Sequence, residues 1–136
     1  MSAFLLLALA GAHPSCTEGT EEVPPLCPAN IPAIRAVIVE RSGKGDHIED
    51  DERLDCSSFR LSAPEVRRYF RDARRVNPQA ADATLDRSPC YVAGRVTFAN
   101  GQTGKWRIEQ YKVGRLTIGK RSLLLYAPDA GEPFIG

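Results

Sequence analysis

Two groups of side chains in this sequence are dense enough to do chemistry. The first is acidic: Asp46, His47, Glu49, Asp50, Asp51 and Glu52 follow the loop Ser42-Gly43-Lys44-Gly45, with Asp55 close behind. Such a run offers oxygen ligands to a hard cation, or a negative surface to a basic partner. It lacks the spaced Asp/Asn ligands and central glycine of an EF-hand loop, so calcium of that kind is not expected. The second group is basic: Arg67, Arg68, Arg71, Arg74 and Arg75 crowd one short stretch. Guanidinium groups in that density present forked donors suited to carboxylates. Either group also reads simply as solvated surface. Between them the acidic loop, with His47 at its edge, is the preferred docking surface, because loops carried on a rigid scaffold more often hold function.

Catalysis finds little support. Nucleophile-and-base hydrolysis needs a histidine beside a serine or cysteine, and the only histidines are His13 and His47. The carboxylates from Glu49 to Glu52 form one run, without the flanking chain a glycosidase cleft requires. Gly43 and Gly45 are not followed by the Lys-Ser/Thr of a phosphate-binding loop. No catalytic residue, cofactor or metal is therefore expected.

Cys16, Cys27, Cys56 and Cys90 are the only cysteines. They form no C-x-x-C pair, which speaks against zinc. An even number in an exported chain favours disulfides. Three pairings are possible, and Cys16–Cys27 with Cys56–Cys90 is preferred. The first closes a short proline-rich loop, and the second ties the segment before the helix to the first strand of the C-terminal half. Export itself is read from residues 1–12, where Ala3 to Ala10 is continuously apolar and Ala10-Gly11-Ala12 fits a small-x-small cleavage site. The apolar run is too short to span a bilayer as a helix.

The elements that must position these groups follow in order. Residues 13–32 contain Pro24-Pro25, Pro28 and Pro32 and read as an irregular arm. Residues 33–136 read as one domain. Ala33 to Arg41 is β-branched and almost wholly apolar from Ala36 to Val39, the pattern of a strand covered on both faces over much of its length. Ser62-Ala63-Pro64-Glu65 is a capping box with an early proline, and Val66, Tyr69, Phe70 and Ala73 fall at helical spacing, so a helix is predicted over 63–76, ended by Asn77-Pro78. Gln79 to Ser88 is polar and alanine-rich, a loop or one helical turn.

From Tyr91 to Tyr126 short apolar runs alternate with turns such as Asn100-Gly101 and Gly119-Lys120, the signature of an antiparallel meander. Trp106, Ile108 and Gln110 share one strand face against Lys105, Arg107 and Glu109, so Trp106 is predicted to be core. Leu123-Leu124-Leu125-Tyr126 is apolar on both faces, which predicts a central strand or one beneath the arm. The fold class is α+β: a meander of four to five strands on one main helix, in the order β-α-β-β-β-β. That order is similar to the cystatin architecture, although the inhibitory Gln-x-Val-x-Gly motif is absent. The charge is divided. Residues 13–55 carry ten acids and four bases, net −6, whereas residues 56–136 carry seven acids and fourteen bases, net +7. Opposed halves suggest an internal pairing or two faces for partners.

The order Cys56-x-x-Phe59, Val66-Arg67-x-Tyr69-Phe70, Pro89-Cys90-Tyr91-Val92-x-Gly94, Gly104-x-Trp106-x-Ile108 and Leu124-Leu125-Tyr126 resembles small exported proteins of Gram-negative bacteria. The resemblance covers about residues 56–134 and rests on cysteines, aromatics and turn glycines. Such relatives often carry a cysteine pair where this chain has Ala127-Pro128-Asp129-Ala130, so no further disulfide is implied here. Some small periplasmic proteins of this style are immunity proteins that neutralise toxins. The resemblance thus implies a periplasmic or secreted protein that binds or inhibits another protein, a toxin or an envelope component, rather than nucleic acid. The alternative is a structural or accessory envelope protein with a small-molecule or cation site at the acidic loop.

Overall fold

The computed structural model describes residues 15–45 and 55–135. The predicted signal segment 1–12 and the acidic stretch Asp46 to Glu52 lie outside these residues. Strands β1 (Leu26–Cys27), β2 (Ile34–Gly45), β3 (Arg74–Val76), β4 (Cys90–Phe98), β5 (Thr103–Glu109), β6 (Val113–Ile118) and β7 (Arg121–Tyr126) form one antiparallel sheet, in the order β1-β3-β7-β6-β5-β4-β2. Helix α1 (Ala63–Asp72) covers one face, and helix α2 (Pro78–Thr84) packs on the other.

The class is α+β as predicted, but the finer architecture differs. The sheet has seven strands rather than four or five, the described residues hold two helices, and the cystatin-like order is not matched. The arm supplies the first difference. Leu26 and Cys27 pair with Val76 and Arg75, so the proline-rich segment adds an edge strand. The Thr17 backbone N–H donates to the Leu26 carbonyl, and the Leu26 N–H donates to Thr17 Oγ1.

The second difference is the end of α1. Its start is as expected: Ser62 Oγ accepts from the Glu65 N–H, and Glu65 Oε1 accepts from the Ser62 N–H. The helix stops at Asp72, because Ala73 takes an extended conformation and Arg74–Val76 turns away to pair with β7 and β1. Asn77 does not end α1. Its Oδ1 accepts from the Gln79 and Ala80 N–H groups and caps α2, with Pro78 in the first turn. A proline disfavours helical backbone at the residue before it, so the chain leaves Val76 extended and starts afresh.

The core follows the pleat. Val66, Tyr69 and Phe70 of α1 meet Trp106, Ile108 and Leu116 in one buried cluster, and the Phe70 and Trp106 rings sit edge to face at 6.3 Å. Trp106 is 3 % exposed, and its Nε1–H donates to the Arg95 carbonyl at 2.9 Å. Leu123 and Leu125 enter this cluster, whereas Leu124 joins Leu26, Val76, Ala81, Leu85 and Val113 beneath α2. β7 is therefore an interior strand covered on both faces, as its leucine run predicts. Phe134 of the tail closes the first cluster between Phe59 and Tyr69.

β2 is not covered on both faces. It is the edge strand beside β4, its pairing breaks register at three places, and Ile38 is 49 % exposed. A β-branched apolar run signals a strand, but it cannot say which strands flank it. The bulges twist this long edge and reduce its use as a template for another chain.

Candidate functional site

Three of the five predicted arginines, Arg67, Arg71 and Arg74, are brought to one groove. Because α1 stops at Asp72, Arg74 lies on β3 and not on the helix. It still reaches the groove that Arg67 and Arg71 border. This groove, about 1150 Å³, runs between the segment Pro28 to Ile34 and the last turn of α1. Its floor is apolar, with Leu26, Ala29 and Ile31 from the arm side and Phe70 and Ala73 from the helix side. Arg68 and Arg75 do not line it.

Each rim arginine is held differently. Arg67 spans from α1 to β2, donating from Nη2 to the Arg35 carbonyl at 2.6 Å and from Nη1 to the Ile34 carbonyl at 3.3 Å. These carbonyls orient the guanidinium without cancelling its charge. Arg71 forks onto its neighbour Asp72, Nε to Oδ1 at 3.1 Å and Nη2 to Oδ2 at 3.3 Å. The hydrogen bond and charge of Asp72 hold the Arg71 pKa above its ordinary value. Arg74 pairs through its backbone with Tyr126. Asp72 and Asp129 are the carboxylates on the lining, so three cations face two anions there. The rim is net positive over an apolar floor, a combination that accepts an apolar side chain flanked by carboxylates.

Asp46, His47, Glu49, Asp50, Asp51 and Glu52, the preferred acidic surface, lie outside the described residues. Asp55, just beyond them, accepts from the Ser57 N–H at 2.9 Å, and hydrogen bonding to the Ser57 side chain first, then to its backbone, lowers the Asp55 pKa. Among the described residues no three His, Cys, Asp or Glu side chains are placed to hold a metal.

Both disulfides have the preferred pairing. Cys16–Cys27 and Cys56–Cys90 are bonded, with Cα separations of 4.1 and 5.1 Å, and no free cysteine is found among the described residues. Two structural disulfides fit an oxidising, extracytoplasmic environment. Among the described residues, no helix is long and apolar enough to cross a membrane. The first disulfide ties down the arm that walls the groove, and the second joins the loop before α1 to the start of β4.

One polar cluster was not foreseen. Glu109, expected on the solvated face of β5, is 7 % exposed. Its carboxylate accepts from Arg87 Nη2 at 2.6 Å, Arg87 Nε at 3.0 Å and the Ser88 N–H at 3.2 Å. Arg87 also reaches Asp82 at 3.2 Å, and the hydrogen bond to Glu109 leads the causes that raise its pKa. α2 and the turn after it deliver Arg87 over this end of the sheet. The signal was Asn77-Pro78, which marks a helix start as readily as a helix end. No protein-family model matches the chain, and no curated protein or solved structure matches it either.

Proposed function

We propose that this is an exported protein-binding module without catalytic activity, of the inhibitor or immunity type, which grips an acidic segment of a partner protein in the arginine-rimmed groove. The observation that carries this reading is the convergence of Arg67, Arg71 and Arg74, from two elements, on one apolar-floored groove. Specific interfaces bury about 800 Å² on each partner and are anchored by a few residues, with arginine prominent among them. The groove supplies an anchor pocket rather than the whole contact. Its floor takes an apolar side chain, and its rim takes flanking carboxylates. A site in the periplasm, where rival cells deliver toxins, is part of the same proposal and is supported by the disulfides and the apolar N-terminal run.

The test is a binding assay against candidate toxins and envelope proteins using two variants. One replaces Arg71 and Arg74 by serine and leaves Arg67, which also holds β2, in place. The other replaces Asp50, Asp51 and Glu52 by serine. Loss of binding confined to the arginine variant is expected. Loss confined to the acidic variant moves the docking surface to the Asp46–Glu52 loop. Unchanged binding in both removes electrostatic docking from the account.

A further inference from the structure

The arginine-rimmed groove also has a main-chain wall. β1 pairs Leu26 with Val76 and Cys27 with Arg75, so the next residue, Pro28, comes where this register would meet Arg74. Proline has no N–H to give, and the ladder ends there. Arg74 pairs on its other side with Tyr126, and both Pro28 and Arg74 line the groove. The arm then runs from Pro28 to Ala33 outside any strand. The Ala33 carbonyl accepts from the Ala99 N–H at 2.7 Å. Among the described residues, the backbone N–H and C=O groups of Ala29, Asn30 and Ile31 have no hydrogen-bond partner, and all three residues line the groove.

Backbone groups along a groove select the shape of what enters it. A helical segment spends its own N–H and C=O groups on itself and would leave this wall unpaired. An extended segment has both to offer, which is how peptides add to the exposed backbone of a folded partner. Its side chains also alternate. One apolar side chain can then drop to the floor at Phe70 and Ala73, while its neighbours on either side point away from the floor, toward the arginines of the rim. The wall is short and bent. Pro28 and Pro32 bracket it, and Asn30 sits at φ 52°. It therefore supports a few main-chain bonds rather than a long added strand.

Resting on the docking groove proposed above, we infer that the partner's segment binds extended, hydrogen-bonded through its main chain to the arm from Ala29 to Ile31, with one apolar residue set directly between two carboxylates. Three fluorescent peptides and the intact, disulfide-bonded protein test this by anisotropy. The first carries Asp-Leu-Asp at its centre. The second has the same residues, with the acids moved three and four positions from the leucine, the spacing of one helix face. The third is the first with its central backbone nitrogens methylated, which keeps the side chains and removes the N–H donors. The first peptide should bind saturably and shift the amide signals of Ala29, Asn30 and Ile31 in NMR spectra. The second and third should each bind about tenfold more weakly or worse. The Arg71→Ser/Arg74→Ser variant should lose the first peptide. Equal binding of the first and third peptides, or tighter binding of the second, would overturn the extended main-chain mode and leave the arginine groove in place. Loss on methylation, with binding unchanged in Arg71→Ser/Arg74→Ser, would keep the arm wall and overturn the arginine reading instead. Binding of none of the three would overturn both.

Discussion

The Tyr69 hydroxyl donates to the Lys112 carbonyl at 2.9 Å and lies over Gly114, where a Cβ would come within 2.5 Å of the phenolic oxygen. One buried side chain of α1 thus fixes the β5–β6 turn. The same carbonyl accepts from the Ala127 N–H, so the tail is tied to the same point. Tyr69→Phe removes one of two donors and leaves the carbonyl satisfied. Its cost should be that of a single hydrogen bond, about 1 kcal/mol, and not the larger penalty of an orphaned buried group. Gly114→Ala drives a methyl into the Tyr69 ring and should cost about 1–3 kcal/mol by overpacking. Because Tyr69→Phe removes the closest atom of that clash, the double variant should lose less than the sum in urea unfolding. Strict additivity would show that Gly114 is required for another reason.

The same tyrosine sets the alkaline limit. Burial, then the charge of Glu109 and the proximity of Tyr126, raise the Tyr69 pKa well above its ordinary value. Tyr126 is raised too, chiefly by burial. The unfolded chain releases these protons near pH 10, while the folded chain retains them. The unfolded state then binds fewer protons, so stability is full below about pH 10 and falls as pH rises beyond it. Tyr69→Phe should flatten that decline, measured as denaturation midpoints at pH 8 and pH 11. An unchanged alkaline slope in Tyr69→Phe would assign it to other groups.

Among the sheet's glycines, Gly94 leaves the least room for a side chain. A Cβ there would meet the Ile38 carbonyl oxygen at 2.0 Å and Trp106 Cζ2 at 2.7 Å. The glycine lets the edge strand β2 close on β4 while the indole lies across the pair. Gly94→Ala should cost about 3 kcal/mol or more, because neither the backbone nor the buried indole can yield cheaply. The loss should appear as faster amide exchange in Ile34 to Val39 before the remaining strands are affected. Uniform exchange across the whole sheet would place the strain elsewhere.

What the sequence made legible, and what it hid, divides along physical lines. The capping box at Ser62, the buried face of Trp106 and Ile108, the doubly covered leucines of β7 and both disulfides could be read from local pattern. Those features depend on periodicity or on the residues' own chemistry. The pairing of β1 with β3 and the edge position of β2 depend on contacts far apart in sequence, which periodicity does not encode. The helix predicted over 63–76 holds all five arginines. Three of them instead share a groove because the chain breaks at Ala73, and that break is decided by pairing of Arg74 and Arg75 with β7. Glu109 was placed on the polar side correctly by alternation, yet it is buried because Arg87 arrives from another element.

That ion pair invites a directional test. Arg87→Ala leaves a buried carboxylate with only the Ser88 N–H, whereas Glu109→Gln leaves an arginine whose side chain is 38 % exposed and can turn to water. Breaking a fully buried pair costs about 3–5 kcal/mol, and solvent screening at Arg87 brings the figure here down to about 2. Arg87→Ala should therefore be the worse single change, and Glu109→Gln should cost about 1 kcal/mol. Equal losses in guanidinium denaturation would mean that Arg87 contributes packing rather than charge compensation.

The two disulfides should separate in both strength and accessibility. Cys56–Cys90 closes 34 residues and Cys16–Cys27 closes 11. Chain entropy then favours the first, about 4 kcal/mol against about 3, on a model in which the cross-link acts on the unfolded state. Exposure orders them the same way, since Cys56 and Cys90 are both buried while Cys16 is on the surface. Mass spectrometry without reductant should find no free thiol. Under mild reductant at native conditions, alkylation should appear first at Cys16 and Cys27, with the α1–sheet core still folded by circular dichroism. Losing that bond should loosen β1 and the arm wall of the groove, and so weaken partner binding before global stability falls. Labelling of Cys56 and Cys90 first would mean that the loop before α1 opens more readily than the arm, and it would shift the least stable part of the fold to the other end of the sheet.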